Sequence, residues 1–457
     1  MRLSFRAFIA ILLIGAARVS SGEQARYDVR LVRLSPPRLA VTASLPASGD
    51  ALHMATTRPG DIAELDVGGW PALVGDLQVS DETGRRVAAT RAGPKGWHLA
   101  TTVAGRLRVD YEVDYSILAA RKWPAQREAA FADADHFVVV GRSLFVTTPA
   151  ITSSRVVFHL PRPWRPVTPW KWESSTAFVA ADPAELADNL IVLMRSAPDV
   201  VTASGFRVSV VPIGHWQEAR GELRRALRAV IPELVRLIGF EGEASYVVVL
   251  LPEIERGGES FRSSFALTFD APASRANRAD WANLIAHEVF HYWNGWRLAG
   301  ADYAASQWFQ EGFTEYAANI AMRASGLIDD EGFRQKIAQH IAQYANLKTT
   351  LEAPGTHKGP PLYSGGALVA FSWDVMIRHA TNGKRTIADV YRNLWTSTDG
   401  GRIKYDWPLI KSVLDAASKQ EWDDFHRRYI AGDERLPLET VLKLAATNAP
   451  ATPPAPR

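Results

Sequence analysis

Apolar and polar positions alternate almost without fault from Leu107 to Tyr115, where Leu107, Val109, Tyr111, Val113 and Tyr115 are separated by Arg108, Asp110, Glu112 and Asp114. A two-residue period of this kind predicts a strand with one face on a core. Shorter runs at 155–160 and 207–212, and an Asp-Glu-Thr-Gly turn signal at 81–84, make residues 25–212 read as β-structure. The stretch 161–172 carries four prolines and three tryptophans. That is too much proline for an internal strand or a helix, so it predicts an ordered surface connection; tryptophans lining a ligand groove are the other reading.

The period changes after Gly214. Leu223, Leu227, Val230, Leu234 and Leu237 are spaced for one face of a helix over 218–237, with Pro232 expected to kink it. Tyr246 to Leu251 is an unbroken apolar run, the mark of a buried strand, and the chain beyond it reads as mostly helical to about Ala446. The last residues are rich in Pro and Ala and read as a loose tail.

Within the helical part, Trp281 to Ala286 supplies apolar residues without Gly or Pro, and His287-Glu288-Val289-Phe290-His291 follows directly. Residues four apart stack on one helix face, so His287 and His291 are aimed at a single zinc ion, one per chain. Glu288 falls beside them as the candidate general base for an activated water. A catalytic zinc needs a third protein ligand, and the next helical stretch, Ser306 to Ile320, offers two acids one turn apart. Glu311 is the expected third ligand. Glu315, on the same face one turn on, is placed to accept the free ring N–H of a ligating histidine.

These residues resemble a family. His-Glu-Val-Phe-His-Tyr-Trp-Asn at 287–294 and Trp-Phe-Gln-Glu-Gly-Phe-Thr at 308–314 resemble the gluzincin metallopeptidases, most closely the glycyl aminopeptidases. The resemblance covers residues 215 to 446 well and the N-terminal third loosely. It implies an α+β multidomain fold: a β-rich N-terminal domain (22–214), then a thermolysin-like, mainly helical zinc peptidase domain (215–445), with a tail at 446–457. It further implies that Tyr363, ahead of Gly365-Gly366-Ala367, donates a hydrogen bond to the oxyanion as charge develops. Gly257-Gly258-Glu259 stands where the family binds substrate, ahead of an edge strand, but Ser260 occupies the family's Glu position and the acid comes one place early. Glu259 is therefore either a displaced holder of the substrate amine or a solvated loop acid.

Composition narrows the class. The 457 residues are 47% hydrophobic and 22% charged, which is globular and long enough for several cores. Arg2, Arg6 and Arg18 sit in residues 1–21 with no acid, and a basic start, an apolar run from Ala7 to Ala17 and a small-residue site at 19–21 read as a signal peptide. An uncleaved N-terminal anchor is the alternative. Without the leader, 49 basic residues balance 49 acids, so nothing calls for nucleic acid or an anionic membrane. Zero cysteines exclude disulfides and thiolate zinc sites. The sequence thus predicts an exported, periplasmic or secreted, zinc metallopeptidase acting on peptides or proteins, in all expectation an aminopeptidase. Its rivals are a zinc hydrolase of another amide or ester and a scaffold that binds peptides without cutting them.

Overall fold

The structure, a computed structural model, describes residues 24–54, 69–120, 130–353 and 359–447. The leader at 1–21 and the tail beyond 447 lie outside the described residues. Among those described, no helix is long and apolar enough to cross a membrane.

The alternating run forms the strand Arg106–Asp114, with Leu107, Val109, Tyr111 and Val113 buried. It lies between Pro37–Pro46 and Val74–Asp81 in an eight-stranded sheet, where Gln24–Leu34 pairs antiparallel with Pro37–Pro46 and parallel with Ser153–His159. Asp81 closes the expected turn at 81–84, its carboxylate accepting from the backbone N–H groups of Thr83 and Arg85. Two four-stranded sheets complete the N-terminal part, whose core gathers Tyr27, Val41, Val109, Phe145 and Trp170. The proline-rich stretch contributes only the short strands Arg165–Val167 and Lys171–Trp172, each terminal in its sheet. Proline lacks the N–H that an interior position requires.

The second part begins earlier than the hydrophobic pattern suggests. Asp199–Ala203 and Phe206–Pro212 pair into a five-stranded sheet with Ala244–Leu250, Ser264–Thr268 and Gly257–Phe261. The expected boundary at 214/215 therefore cuts through one sheet. Strand pairing puts it between Met194, the end of the last N-terminal strand, and Asp199. Local periodicity cannot report this, because a strand looks the same whichever sheet it joins.

One face of the five-stranded sheet, through Val208, Val210, Tyr246, Val248 and Phe265, packs on the helices. The other, through Val211, Val247, Val249 and Phe261, packs on Val138, Val192 and Met194 of the N-terminal part. Helix Arg220–Ile238 runs continuously across Pro232 and stops at Gly239, which takes the left-handed φ of 71°. Helices then dominate to Leu438–Thr447, so residues 446 and 447, expected in the tail, are helical.

Candidate active site

Helix Arg278–Phe290 carries the first histidine and ends within the motif. His291 is its C-terminal cap, still in right-handed helical conformation, with its N–H bonded to the His287 carbonyl. The four-residue stacking therefore survives. Helix Gln307–Ala324 lies alongside and brings Glu311 and Glu315 to the same place.

The three expected ligands converge. His287 Nε2 is 3.1 Å from His291 Nε2, and each is 3.4 Å from Glu311 Oε2. A tetrahedral cation about 2.1 Å from each donor requires donors about 3.4 Å apart, so the set fits zinc without rearrangement. The opposite ring nitrogens point the same way. His287 Nδ1 lies 2.9 Å from Glu315 Oε2 and His291 Nδ1 lies 2.8 Å from the Asn294 carbonyl. Both partners only accept, so each Nδ1 carries the proton and each Nε2 lone pair faces the shared centre.

Charge follows geometry. Burial drives the His287 imidazolium down, but Glu311 and Glu315 beside it more than offset this, and the ring is held well above its ordinary value. Burial raises Glu311 and Glu315, yet the histidines dominate and hold both carboxylates ionised, Glu315 at about 2. Burial raises Glu288 above its ordinary value, with His287 and His291 offsetting part of the shift. A buried, proton-seeking carboxylate thus stands next to the two histidine rings.

Tyr363 stands in the first turn of helix Pro360–Ala380, its ring stacked 6.4 Å from that of His287. Glycine makes this approach possible. A Cβ at Gly366 would overlap the Trp308 carbonyl and lie 3.0 Å from the Gly312 Cα, so the tyrosine helix crosses the acid-bearing helix backbone to backbone.

Gly257-Gly258-Glu259 is itself the edge strand, Gly257–Phe261, and not the segment ahead of it. Gly258 pairs with Leu267 and Ser260 with Phe265, whose side chains face the helices, and a Cβ at Gly258 would overlap the Glu288 carboxylate. Glu259 pairs with Ala266, on the face turned to the N-terminal part. The pleat therefore removes Glu259 from an amine-holding position: a one-residue displacement along a strand reverses the side of the sheet. Ser260, which accepts a 3.3 Å hydrogen bond from Trp296 Nε1, occupies the site-facing place.

Sequence reasoning missed the buried polar frame. Asn294 donates to the Phe309 and Gln310 carbonyls and to Thr314 Oγ1, tying the end of the motif helix to the acid helix. His340 accepts from Asn319 Nδ2 at 3.0 Å, lies 3.6 Å from Glu315 Oε1, and reaches Ser364 Oγ at 3.0 Å. Ser364 adjoins Tyr363, so one chain of polar contacts joins the His287 partner to the tyrosine helix. Its signal was a histidine on an otherwise buried helix face, between Ile337 and Tyr344.

Comparison with known proteins decides the family. The sequence pattern of the M61 glycyl aminopeptidases matches residues 280–392, and that of the peptidase M61 N-terminal domain matches residues 26–192. The chain is a gluzincin metallopeptidase resembling the glycyl aminopeptidases. The N-terminal match spans the region where motifs alone were loose. No curated protein matches significantly. Among solved structures, this peptidase is similar in fold to an aminopeptidase N family protein from Idiomarina loihiensis. The TM-score is 0.74 at 18% identity, over 92% of this chain and 78% of that one. It is also similar to an M1 zinc metallopeptidase variant from Deinococcus radiodurans bound to a Tyr-Ser-Ala substrate, with a TM-score of 0.59 at 16% identity, over 91% and 94% of the two chains.

Proposed function

We propose that this peptidase hydrolyses peptide bonds at or near the amino end of its substrates, with His287, His291 and Glu311 holding one zinc ion. The convergence of two ring nitrogens and one carboxylate oxygen at 3.1–3.4 Å carries the reading. A zinc ion bound there supplies Lewis acidity that polarises water and the scissile carbonyl. The side chains do the rest. Glu288, buried and with raised proton affinity, takes the proton of the attacking water and returns it to the leaving amine. Tyr363 donates to the carbonyl oxygen as it becomes negative. The exposed edge strand Gly257–Phe261 offers its free backbone groups to an extended substrate, and the missing side chain of Gly258 lets that backbone come close to Glu288. Glu315 and the Asn294 carbonyl hold the histidine tautomers.

Action at the amino end is supported by the family and by the Tyr-Ser-Ala complex of the Deinococcus enzyme, while the register of Glu259 against Ala266 argues against it as the amine holder. The leader segment supports work outside the cytoplasm. Glu288→Gln is expected to lower hydrolysis by about 10²- to 10⁴-fold while zinc content stays at one per chain. His287→Ala is expected to lose the zinc. Retained activity in Glu288→Gln would remove the general base, and equal cleavage of free and N-acetylated peptides would remove the aminopeptidase reading.

A further inference from the structure

A cleft of about 730 Å³ opens where the two parts of the molecule meet. One wall is the proline-rich stretch, with Trp164, Arg165 and Trp172; the other is Arg207 and Ser209 of the five-stranded sheet. Arg207 and Ser209 share the strand face of Val211, which is turned to the N-terminal part and away from the motif helix. The cleft is therefore separate from the metal-ligand cluster. Its volume is that of a site for a ligand of several hundred daltons, within the usual range of about 300–1,000 Å³.

Four observations say what it would take. Trp172 is 67% exposed, more than any other large hydrophobic side chain among the described residues. Arg165 and Arg207 are exposed and form no ion pair among the described residues, and no acid lines the cleft. Of the acids near the lining in sequence, Glu173 is engaged by Arg155 at 2.8 Å and Asp199 by Arg220 at 3.5 Å, whereas the exposed Glu243, two residues before Ser245, forms no ion pair among the described residues. The Thr168 hydroxyl, also in the lining, is buried without a hydrogen-bond partner. Finally, Lys171–Trp172 and Arg165–Val167 each end a sheet, leaving one edge of backbone N–H and C=O groups unpaired by any strand.

We propose that this cleft binds an extended peptide segment carrying carboxylates, laid along the open edge of Lys171–Trp172. Its carboxylates meet Arg165 and Arg207, and its aromatic or prolyl side chains lie on Trp164 and Trp172. Strand edges favour a polypeptide over other anions, because they pair with a regularly spaced backbone. Two unpaired guanidinium groups set the sign of the charge. Binding here does not depend on the reading of the metal site.

The test uses the intact chain with Glu288→Gln, so that no peptide is cut, and a fluorescent decapeptide of alternating Glu and Tyr blocked at both ends. Fluorescence anisotropy is expected to show saturable binding that weakens with salt. Arg165→Glu with Arg207→Glu, and separately Trp172→Ala, are each expected to weaken it about tenfold or more, as is replacing every peptide Glu by Gln. The same cleft variants should unfold cooperatively at the wild-type melting temperature, which establishes that they fold. Equal affinity in the double arginine variant, or for the Gln peptide, overturns the proposal. So does displacement of the peptide by a uronic acid oligosaccharide that binds more tightly, which would make this a glycan site.

Discussion

At the scale of single residues, the absence of a side chain matters as much as its presence. Gly258 is the point where the edge strand meets Glu288, and a methyl group there must push the Glu288 carboxylate, whose Cδ would be 2.9 Å away. That carboxylate is the far end of a flexible chain, so the fold tolerates the change. Gly258→Ala is accordingly expected to leave the melting temperature nearly unchanged and to lower kcat by about tenfold or more; normal turnover would mean that Glu288 has room to spare. Asp81 gives the opposite case, a residue remote from the chemistry whose charge serves the fold. Hydrogen bonds from Thr83, and with them Arg85, hold its carboxyl down at about 2. A depressed folded pKa contributes stability above the unfolded value and loses it as pH falls through the folded one. The stability difference between wild type and Asp81→Ala, followed by thermal melting, should therefore narrow as pH is lowered from about 5 towards 2.

At the scale of elements, the site is a crossing of helices. The acid-bearing helix and the tyrosine helix touch backbone to backbone at Gly312 and Gly366. Adding a methyl group at Gly366 meets a main-chain carbonyl, which cannot rotate away as a side chain can. Gly366→Ala should cost about 1–3 kcal/mol of stability or more in chemical unfolding, and activity should fall with it, because Tyr363 is carried one turn away on the same helix. Wild-type stability would show that the helices part without strain. Asn294 and the His340 chain act at this same scale: they fix the rotation of the helices about their axes, and hence where the ring nitrogens point.

At the scale of the whole molecule, the N-terminal part braces the edge strand Gly257–Phe261. The turn that ends Gly257–Phe261 is gripped from across the junction: Arg262 pairs with Asp182 at 3.1 Å, and its N–H bonds to the Asp188 carbonyl. Ser263 N–H bonds to Asn189 Oδ1. Behind this turn lies a fully buried ion pair, Arg142 with Asp188 at 3.4 Å, the guanidinium resting over Phe261. Removing one partner of such a pair strands the other charge, so Asp188→Ala is expected to cost about 3–5 kcal/mol and to raise KM as the edge strand loosens. An unchanged KM in folded variant would show that the brace serves stability alone.

The sequence by itself determined which side chains are candidates for the chemistry, and most local structure. His287, Glu288 and His291 were legible because helical stacking is a local property, set by spacing alone, and the strand at 106–114 because its burial alternates with the pleat. The pairing of Glu311 with the histidines was also legible, since a third ligand must come from a nearby helix. Three things were decided only by the tertiary structure. Which sheet Asp199–Pro212 joins depends on partners distant in the chain. Which way Glu259 points depends on register against Ser264–Thr268, where one step exchanges the two faces. The polar frame of Asn294, Asn319, His340 and Ser364 depends on helices meeting at close range, and side chains that hydrogen-bond across a crossing leave no period in the sequence to read.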